Sequence, residues 1–299
     1  MKKLLLVCVC AAAAVLCGCM SKTEIAERYL QQGEFEKALF VCEDVKQSDD
    51  PAFYAAYAQA LWRLGRIKEA DAALDQALKL GIKKGWSHIL RAQIRMAECN
   101  YAGAAKEAAE AVKLMPESLL AKQMYGNALK RDAMIRNAYA ALQKAPENDL
   151  NVSRLAKLMY YNMNRGNEAV ALLKDFCGKN KDCTLSRDTL AWILATSANA
   201  KLRSAKTALQ LAEINLKKAP AHPVWLDTMA AASAACGDYK NAQKYLAASR
   251  ANWEKLSVKR KNFYPHLERD SNMRFKLYES GKNRYERPNS VRMVWLIGD

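Results

Sequence analysis

Small and apolar side chains recur at intervals of three or four residues in the stretch from Pro223 to Ser249. Gly237 and Asp238 divide this stretch into two runs of similar length. Such spacing places the apolar residues on one face of a helix. The stretch is therefore predicted to form two antiparallel helices joined by a tight turn. Because such a hairpin cannot bury its apolar faces alone, we expect further copies of it along the chain.

Ala242, three residues after the turn aromatic, has counterparts along most of the chain. Successive alanines of this series are 31 to 39 residues apart, with 34 the recurring value: Ala38, Ala70, Ala104, Ala138, Ala169, Ala208 and Ala242. A second series of alanines follows three of them by seven residues, at Ala77, Ala111 and Ala145. Equivalent turns are marked by Gly33–Phe35, Gly65–Ile67, Cys99–Tyr101 and Gly237–Tyr239. The pattern predicts a series of helix-turn-helix units.

A helix-turn-helix period of about 34 residues resembles the tetratricopeptide repeat, and the resemblance covers roughly Thr23 to Ser249. It implies an all-α fold, a right-handed α-solenoid of about seven repeats. The segments Leu190–Thr196 and Leu226–Ala232 are similar to a bacterial subtype of the repeat, whose members often end in a segment like Leu277–Lys282.

Within this subtype, we expect Asp227 and Thr228 to order a helix start or to face a groove, and Trp192 to pack between helices. Three of the repeats depart from the regular pattern. The fourth, Leu119 to Ala145, is predicted to have a short second helix because Pro146 arrives early. The fifth has Gly166 in place of the turn aromatic, which should loosen that turn. The sixth carries about five extra residues at 199–203.

The N-terminus combines two lysines with an apolar run, Leu4 to Leu16, that is too short to cross a bilayer. The run ends in Leu-Cys-Gly-Cys, residues 16–19, which resembles the bacterial lipobox. The resemblance implies cleavage before Cys19 and lipid attachment to that residue. Met20 and Ser21 stand where a retention aspartate would lie, which favours the periplasmic face of the outer membrane. The alternative is an ordinary secretory signal.

Three segments are predicted from these features. Residues 1–18 form the signal peptide, residues 19–252 the repeat array, and residues 253–299 a basic C-terminal capping and tail segment. A polar capping helix is expected over Ala247 to Val258. The chain of 299 residues carries a formal net charge of +16. This charge favours an acidic partner or surface, or serves solubility alone. Because no run of five or six basic residues occurs, nucleic acid is not expected as a partner.

The sequence contains few residues that indicate catalysis. Its three histidines, His88, His222 and His266, lie far apart, and no metal-binding, nucleophile or phosphate-loop motif is present. We therefore expect neither an enzyme nor a metal or cofactor site.

A partner is expected on the exposed positions of the first helix of each repeat, where aromatic, Arg, Met and amide side chains occur. These candidates are Gln59, Trp62, Arg63, Trp86, Gln93, Met96, Arg154, Tyr161 and Asn162. The alternative is that Trp62, Trp86 and Tyr161 complete the packing between neighbouring helices. A peptide-carboxylate clamp with matched Lys and Asn is not indicated, because Ala55 and Ile89 stand at comparable places.

An exported location changes how the cysteines are interpreted. Cys177 and Cys183 bracket a five-residue loop, and they are candidates for a small disulfide in an oxidising compartment. Free thiols are the alternative. Cys42 is predicted to be a small core residue.

Taken together, the sequence predicts a lipid-anchored envelope scaffold that binds a protein or peptide partner in the concave groove of the repeat array. Assembly of an envelope machine is one role that fits such a scaffold. The alternative is an adaptor whose basic tail binds acidic cell-wall or membrane polymers.

Overall fold

The computed structural model describes residues 20–44, 48–82, 85–255, 265–283 and 285. This part of the chain is all-helical and contains no β-strand. The helices of its first part are α1 Lys22–Gln31, α2 Phe35–Glu43, α3 Pro51–Arg63, α4 Ile67–Lys79, α5 Gly85–Ala97, α6 Tyr101–Leu114 and α7 Leu119–Lys144. Those that follow are α8 Asp149–Asn162, α9 Gly166–Lys179, α10 Thr184–Thr196, α11 Ala205–Lys218, α12 Pro223–Ala235, α13 Tyr239–Glu254 and α14 Pro265–Glu279.

The chain divides into two compact units. Unit 1 extends to Met96 and includes Tyr101–Leu129, whereas unit 2 contains Ala97–Asn100 and the chain from Lys130 onwards. Within each unit, successive helices pair and pack against the helices that follow, as α1–α2 and α3–α4 do in unit 1 and α10–α11 and α12–α13 do in unit 2. The all-α fold class is thus confirmed, as are the predicted helical hairpins other than the fourth. The predicted lipid-attachment residue, Cys19, lies outside the described residues.

The repeated alanines hold the two helices of each hairpin together. Six of the seven alanines in the first series have no exposed surface, as have Ala77 and Ala111 of the second. A methyl group at such a position lets two helix backbones approach closely while still filling the space between them. Ala138 and Ala145, which belong to the fourth repeat, are the partly exposed members of the two series.

Five hairpin turns contain a residue with positive φ. Gly33, Gly65 and Gly237 have φ between 76° and 83°, and the equivalent residues of two other turns, Cys99 and Asn164, have φ of 61° and 54°. This left-handed conformation reverses the chain after the first helix, and Gly and Asn adopt it most readily. Cys99 therefore occupies the turn position that the repeat pattern predicts for it.

The fourth hairpin is absent, and the prediction of a short second helix was wrong. Residues 119–144 form one continuous helix of 26 residues, α7. The repeat period places Ala133 at the turn, 34 residues after Cys99. Alanine has the highest helix propensity and resists positive φ, so the helix continues through this position.

The fifth turn is tightly packed, contrary to the expected loosening at Gly166. The Arg165 backbone N–H donates to the Met159 carbonyl at 2.9 Å. A Cβ on Gly166 would lie 2.8 Å from Cδ1 of Leu202 and 3.3 Å from Cδ2 of Tyr160. Leu202 belongs to a 3₁₀ turn, Ala200–Leu202, formed by the extra residues of the sixth repeat. Because Gly166 has no side chain, there is room beside it for this inserted turn.

The C-terminal region adds a helix to the last hairpin. α13 ends at Glu254, and α14 begins at Pro265, a residue that is tolerated in the first helical turn. Helix α14 packs against α12 and α13. Among the described residues, no helix is both long enough and apolar enough to be a candidate membrane span.

Candidate partner-binding surfaces

Six of the nine predicted partner-binding residues lie in unit 1, on α3 and α5. Trp62 and Trp86 are half-buried and pack against one core cluster that includes Leu61, Leu74 and Leu90. These two tryptophans therefore complete the packing between neighbouring helices, which is the alternative that the sequence left open.

The amide and cationic candidates of unit 1 are more accessible. Gln59 and Gln93 are half-exposed, and each is the ninth residue of a 13-residue helix. Arg63 is exposed, with its guanidinium Cζ 5.0 Å from the ring centroid of Phe35. Met96 is half-buried and packs against a cluster of small residues, including Ala104. Among the candidates of unit 1, two equivalent glutamines and one arginine are thus accessible.

The three candidates of unit 2 lie on α8, and two of them are not exposed. Arg154 is exposed, but Tyr161 and Asn162 are only 4% and 3% exposed. The Tyr161 ring packs edge-on against Tyr160, with centroids 4.8 Å apart, and its carbonyl accepts a hydrogen bond from Cys99 Sγ at 3.1 Å. The expected exposure of Tyr161 and Asn162 was therefore wrong, because the last turn of α8 is buried on all sides. Tyr161 instead completes the packing, which is the alternative that the sequence left open for it.

A network of charged side chains joins α4, α5 and α6 in unit 1. His88 Nδ1 lies 2.9 Å from Glu107 Oε2, and Arg95 Nη1 donates to Asp71 Oδ2 at 3.0 Å. Arg91 bonds to Asp75 and also lies near Asp71 and Glu107. His88 is isolated in the sequence, because its partner is 19 residues away on another helix. Three carboxylates, two arginines and one histidine contact one another in this network, so we interpret it as structural.

A second charged pair is buried in unit 2. The Asp227 carboxylate, on α12, accepts a hydrogen bond from Arg274 Nη2, on α14, at 2.5 Å. The Arg274 Cζ atom also lies 5.2 Å from the ring centroid of Trp192, on α10. From the sequence, Asp227 was expected to order a helix start or to face a groove. Its pairing was missed because 47 residues separate the two partners.

Cys177, in the last turn of α9, and Cys183, directly before α10, lie in contact as thiols. Arg187 Nη2 donates to Cys183 Sγ at 3.4 Å. Burial, together with the hydrogen bond to Cys183, raises the pKa of the Cys177 thiol well above its ordinary value. The two thiols are thus hydrogen-bonded neighbours, and the disulfide between them stays a prediction. Cys42 is buried, as predicted for a core residue.

The described residues contain no cluster of His, Cys, Asp and Glu that could hold a metal ion. No family model matches the sequence, and no curated protein matches it.

Comparison with solved structures gave matches at low sequence identity and with TM-scores below 0.5. The TPR2AB domain of yeast Sti1, in complex with pHSP90, is 16% identical, with 84% of this chain and 96% of that chain covered and a TM-score of 0.34. YrrB, described as a TPR protein with an unusual peptide-binding site, is 16% identical, with 74% and 93% covered and a TM-score of 0.31. Yeast Tom70 is 13% identical, with 87% and 67% covered and a TM-score of 0.33. Solved structures similar to this chain therefore include proteins described by the tetratricopeptide repeat.

Proposed function

We propose that the protein is a scaffold that binds a protein or peptide partner through the first helices of unit 1. The observation that carries this proposal is the equivalence of Gln59 and Gln93, which occupy the same position of two equal helices and are both half-exposed. A primary amide both donates and accepts hydrogen bonds, so it can pair with the N–H and C=O groups of a peptide backbone. Arg63, exposed at the end of α3, adds a cation for an acidic side chain of the partner.

The proposal extends to the location of the protein. The sequence of residues 1–19 supports a lipid anchor on Cys19, which would hold the scaffold at the periplasmic face of the outer membrane. An attached partner would thereby be recruited to the envelope. Replacing Cys19 by Ala should abolish incorporation of labelled fatty acid and leave uncleaved precursor. Undiminished labelling of the Cys19→Ala chain would contradict the anchor.

The binding surface is tested by photo-crosslinking in cells of the native host. A photoreactive amino acid at position 59 or 93 should give one shared crosslinked partner. The matched control is position 68 on the second helix α4, where Lys68 is exposed. Crosslinking at 68 that equals crosslinking at 59 and 93 would contradict a specific surface.

The same experiment separates the proposal from binding of acidic polymers by the basic tail. The double variant Gln59→Ala/Gln93→Ala should lose the partner while its sedimentation with envelope polymers stays unchanged. Polymer binding through the tail would instead fall steeply with added salt and ignore both glutamines. Trp62 and Trp86 are unsuitable for this test because both pack against the core.

A further inference from the structure

Among the described side chains of α14, residues 271–279, the buried face is formed by three residues with the spacing of an interaction helix. Ser271, Arg274 and Tyr278 are 2%, 2% and 3% exposed, and they stand at positions i, i+3 and i+7. Helices that bind into grooves of other proteins use anchors at this spacing. The neighbouring Met273 of α14 stays largely accessible, with 49% of its surface exposed.

Arg274 enters a site whose chemistry suits a guanidinium group. On one side the Asp227 carboxylate accepts its Nη2 hydrogen bond, and on the other the Trp192 ring lies within cation–π distance. Asp227 and Trp192 are 1% and 4% exposed, so both interactions occur away from water. A planar cation with directional N–H groups can use a carboxylate and an aromatic ring together, which an ammonium group does less well.

Tyr278 occupies the second half of the same site. It packs against Ala230 and Ala234 of α12 and against Ala242 and Leu246 of α13, all nearly or fully buried. The three alanines leave space that the aromatic ring fills. The site is thus specific for an arginine and for an aromatic residue four positions later on one helix face.

The attachment of α14 differs from that of the other paired helices. Hairpins α1–α2, α3–α4 and α12–α13 are closed by three residues each and α10–α11 by eight, whereas ten residues, 255–264, connect α13 to α14. A buried ion pair also contributes less to stability than apolar packing of the same volume, and it serves specificity better. A long connection and a polar anchor are features of a ligand held in cis.

We propose that α10, α12 and α13 form a helix-binding site for an arginine-bearing amphipathic helix of a partner protein, and that α14 occupies this site in cis. A partner helix with Arg and an aromatic residue four positions later displaces α14 from Asp227, Trp192 and the alanine surface. This site uses none of the unit 1 residues of the proposed function, so either can fail without the other.

The test uses the full chain and a fluorescent peptide with the sequence of residues 265–279. In the wild-type chain, α14 competes at a high effective concentration because it is tethered. The variant Arg274→Ala/Tyr278→Ala removes both anchors of α14, so the peptide should bind it at least tenfold more tightly than it binds the wild type. Adding Asp227→Asn to this variant, or Arg→Lys at the peptide's position 274, should weaken binding about tenfold or more.

Equal peptide affinity for the wild-type chain and the double variant would overturn the proposal, as would binding that ignores Asp227→Asn. A second measurement needs no variant. Hydrogen exchange of α14 in the wild-type chain should accelerate when an isotopically labelled copy of the peptide is added in excess, because a displaced helix loses its protection. Unchanged exchange at saturating peptide would contradict displacement. Exchange of α14 between two copies would produce dimers in size-exclusion chromatography, and dimers that form without peptide would contradict a site for a partner helix.

Discussion

The first helices of the hairpins contain more buried residues in unit 2 than in unit 1. In α3 and α5 of unit 1, six of 13 residues are buried, whereas in α10 and α12 of unit 2 ten of 13 are buried. The ninth residue shows the difference most directly. It is a half-exposed glutamine in unit 1, Gln59 or Gln93, and a buried residue in unit 2, Trp192 or Ala231.

This contrast shows that the first helix of a repeat can either stay accessible to solvent or be covered by another element of the chain. A first helix that is polar at the ninth position keeps an accessible face, whereas a first helix with an apolar ninth residue needs a covering element at that position. In unit 2, part of that cover comes from Arg274 and Tyr278 of α14. The proposed surface for an outside partner thus lies on unit 1, and the proposed self-occupied site lies on unit 2.

The largest expected effect on stability comes from replacing the ninth residue of a first helix. Trp192→Ala removes a side chain that is 4% exposed, and it should lower the free energy of unfolding by about 3 to 5 kcal/mol, from lost burial and the cavity left behind. Gln93→Ala, at the equivalent position in unit 1, should change it by less than about 0.5 kcal/mol. Urea denaturation followed by circular dichroism measures both. Similar losses in the two variants would remove the contrast between the units.

The buried ion pair gives the next largest effect. Asp227→Ala leaves the Arg274 guanidinium without its buried counter-charge and should cost about 3 kcal/mol. The double variant Asp227→Ala/Arg274→Met removes both charges and should recover a large part of that loss. Denaturation of the two single variants and the double variant gives the coupling energy.

Lys22→Ala is the matched control for this pair. It breaks an ion pair with Asp44 in which both side chains are more than half exposed. No measurable change in stability is expected, because water screens such pairs.

Additive losses of stability in the Asp227 and Arg274 variants would show that these two buried side chains do not act together.

The sequence predicted those parts of the fold that depend on local spacing. The alanine series and the turn residues located the hairpins, and even the unusual turn at Cys99 was assigned correctly. The same period, carried one repeat further, falls on Ala133, where the helix does not end. Periodicity alone therefore overstated the number of hairpins, because the conformational preference of the turn residue decides whether a hairpin forms.

The candidate site was predicted less completely because burial depends on contacts distant in sequence. Helical spacing correctly placed Gln59 and Gln93 at accessible positions. It failed for Tyr161, whose surroundings include Cys99, a residue 62 positions away. It also gave no indication that Arg274 would meet Asp227 and Trp192, since single charges in a basic tail are ordinarily solvated.

Oxidation of Cys177 and Cys183 should stabilise unit 2 further. A disulfide across so short a loop adds about 2 kcal/mol at most through lost chain entropy. Since the pKa of Cys177 is raised by burial, little thiolate exists at neutral pH, and the rate of disulfide formation with oxidised glutathione should rise with pH. At pH values below this pKa, the thiolate fraction grows about tenfold per pH unit.

Mass spectrometry of the alkylated chain at pH 7, 8 and 9 measures this disulfide. The control Cys183→Ser should form none. A rate that is independent of pH, or an oxidised chain no more stable than the reduced one, would contradict the predicted pairing.

The smallest expected effect concerns the tight turn of unit 2. Gly166→Ala would place a Cβ 2.8 Å from Leu202 and should destabilise the chain by about 1 kcal/mol or more, because the inserted turn must move. At Gly178, in the same helix α9, an added Cβ would meet no heavy atom within 4 Å, so Gly178→Ala should stabilise the helix by about 0.5 to 1 kcal/mol. Opposite signs in thermal denaturation are expected. If both alanines stabilise, Leu202 yields easily, and unit 2 is less tightly packed around this turn than its buried first helices indicate.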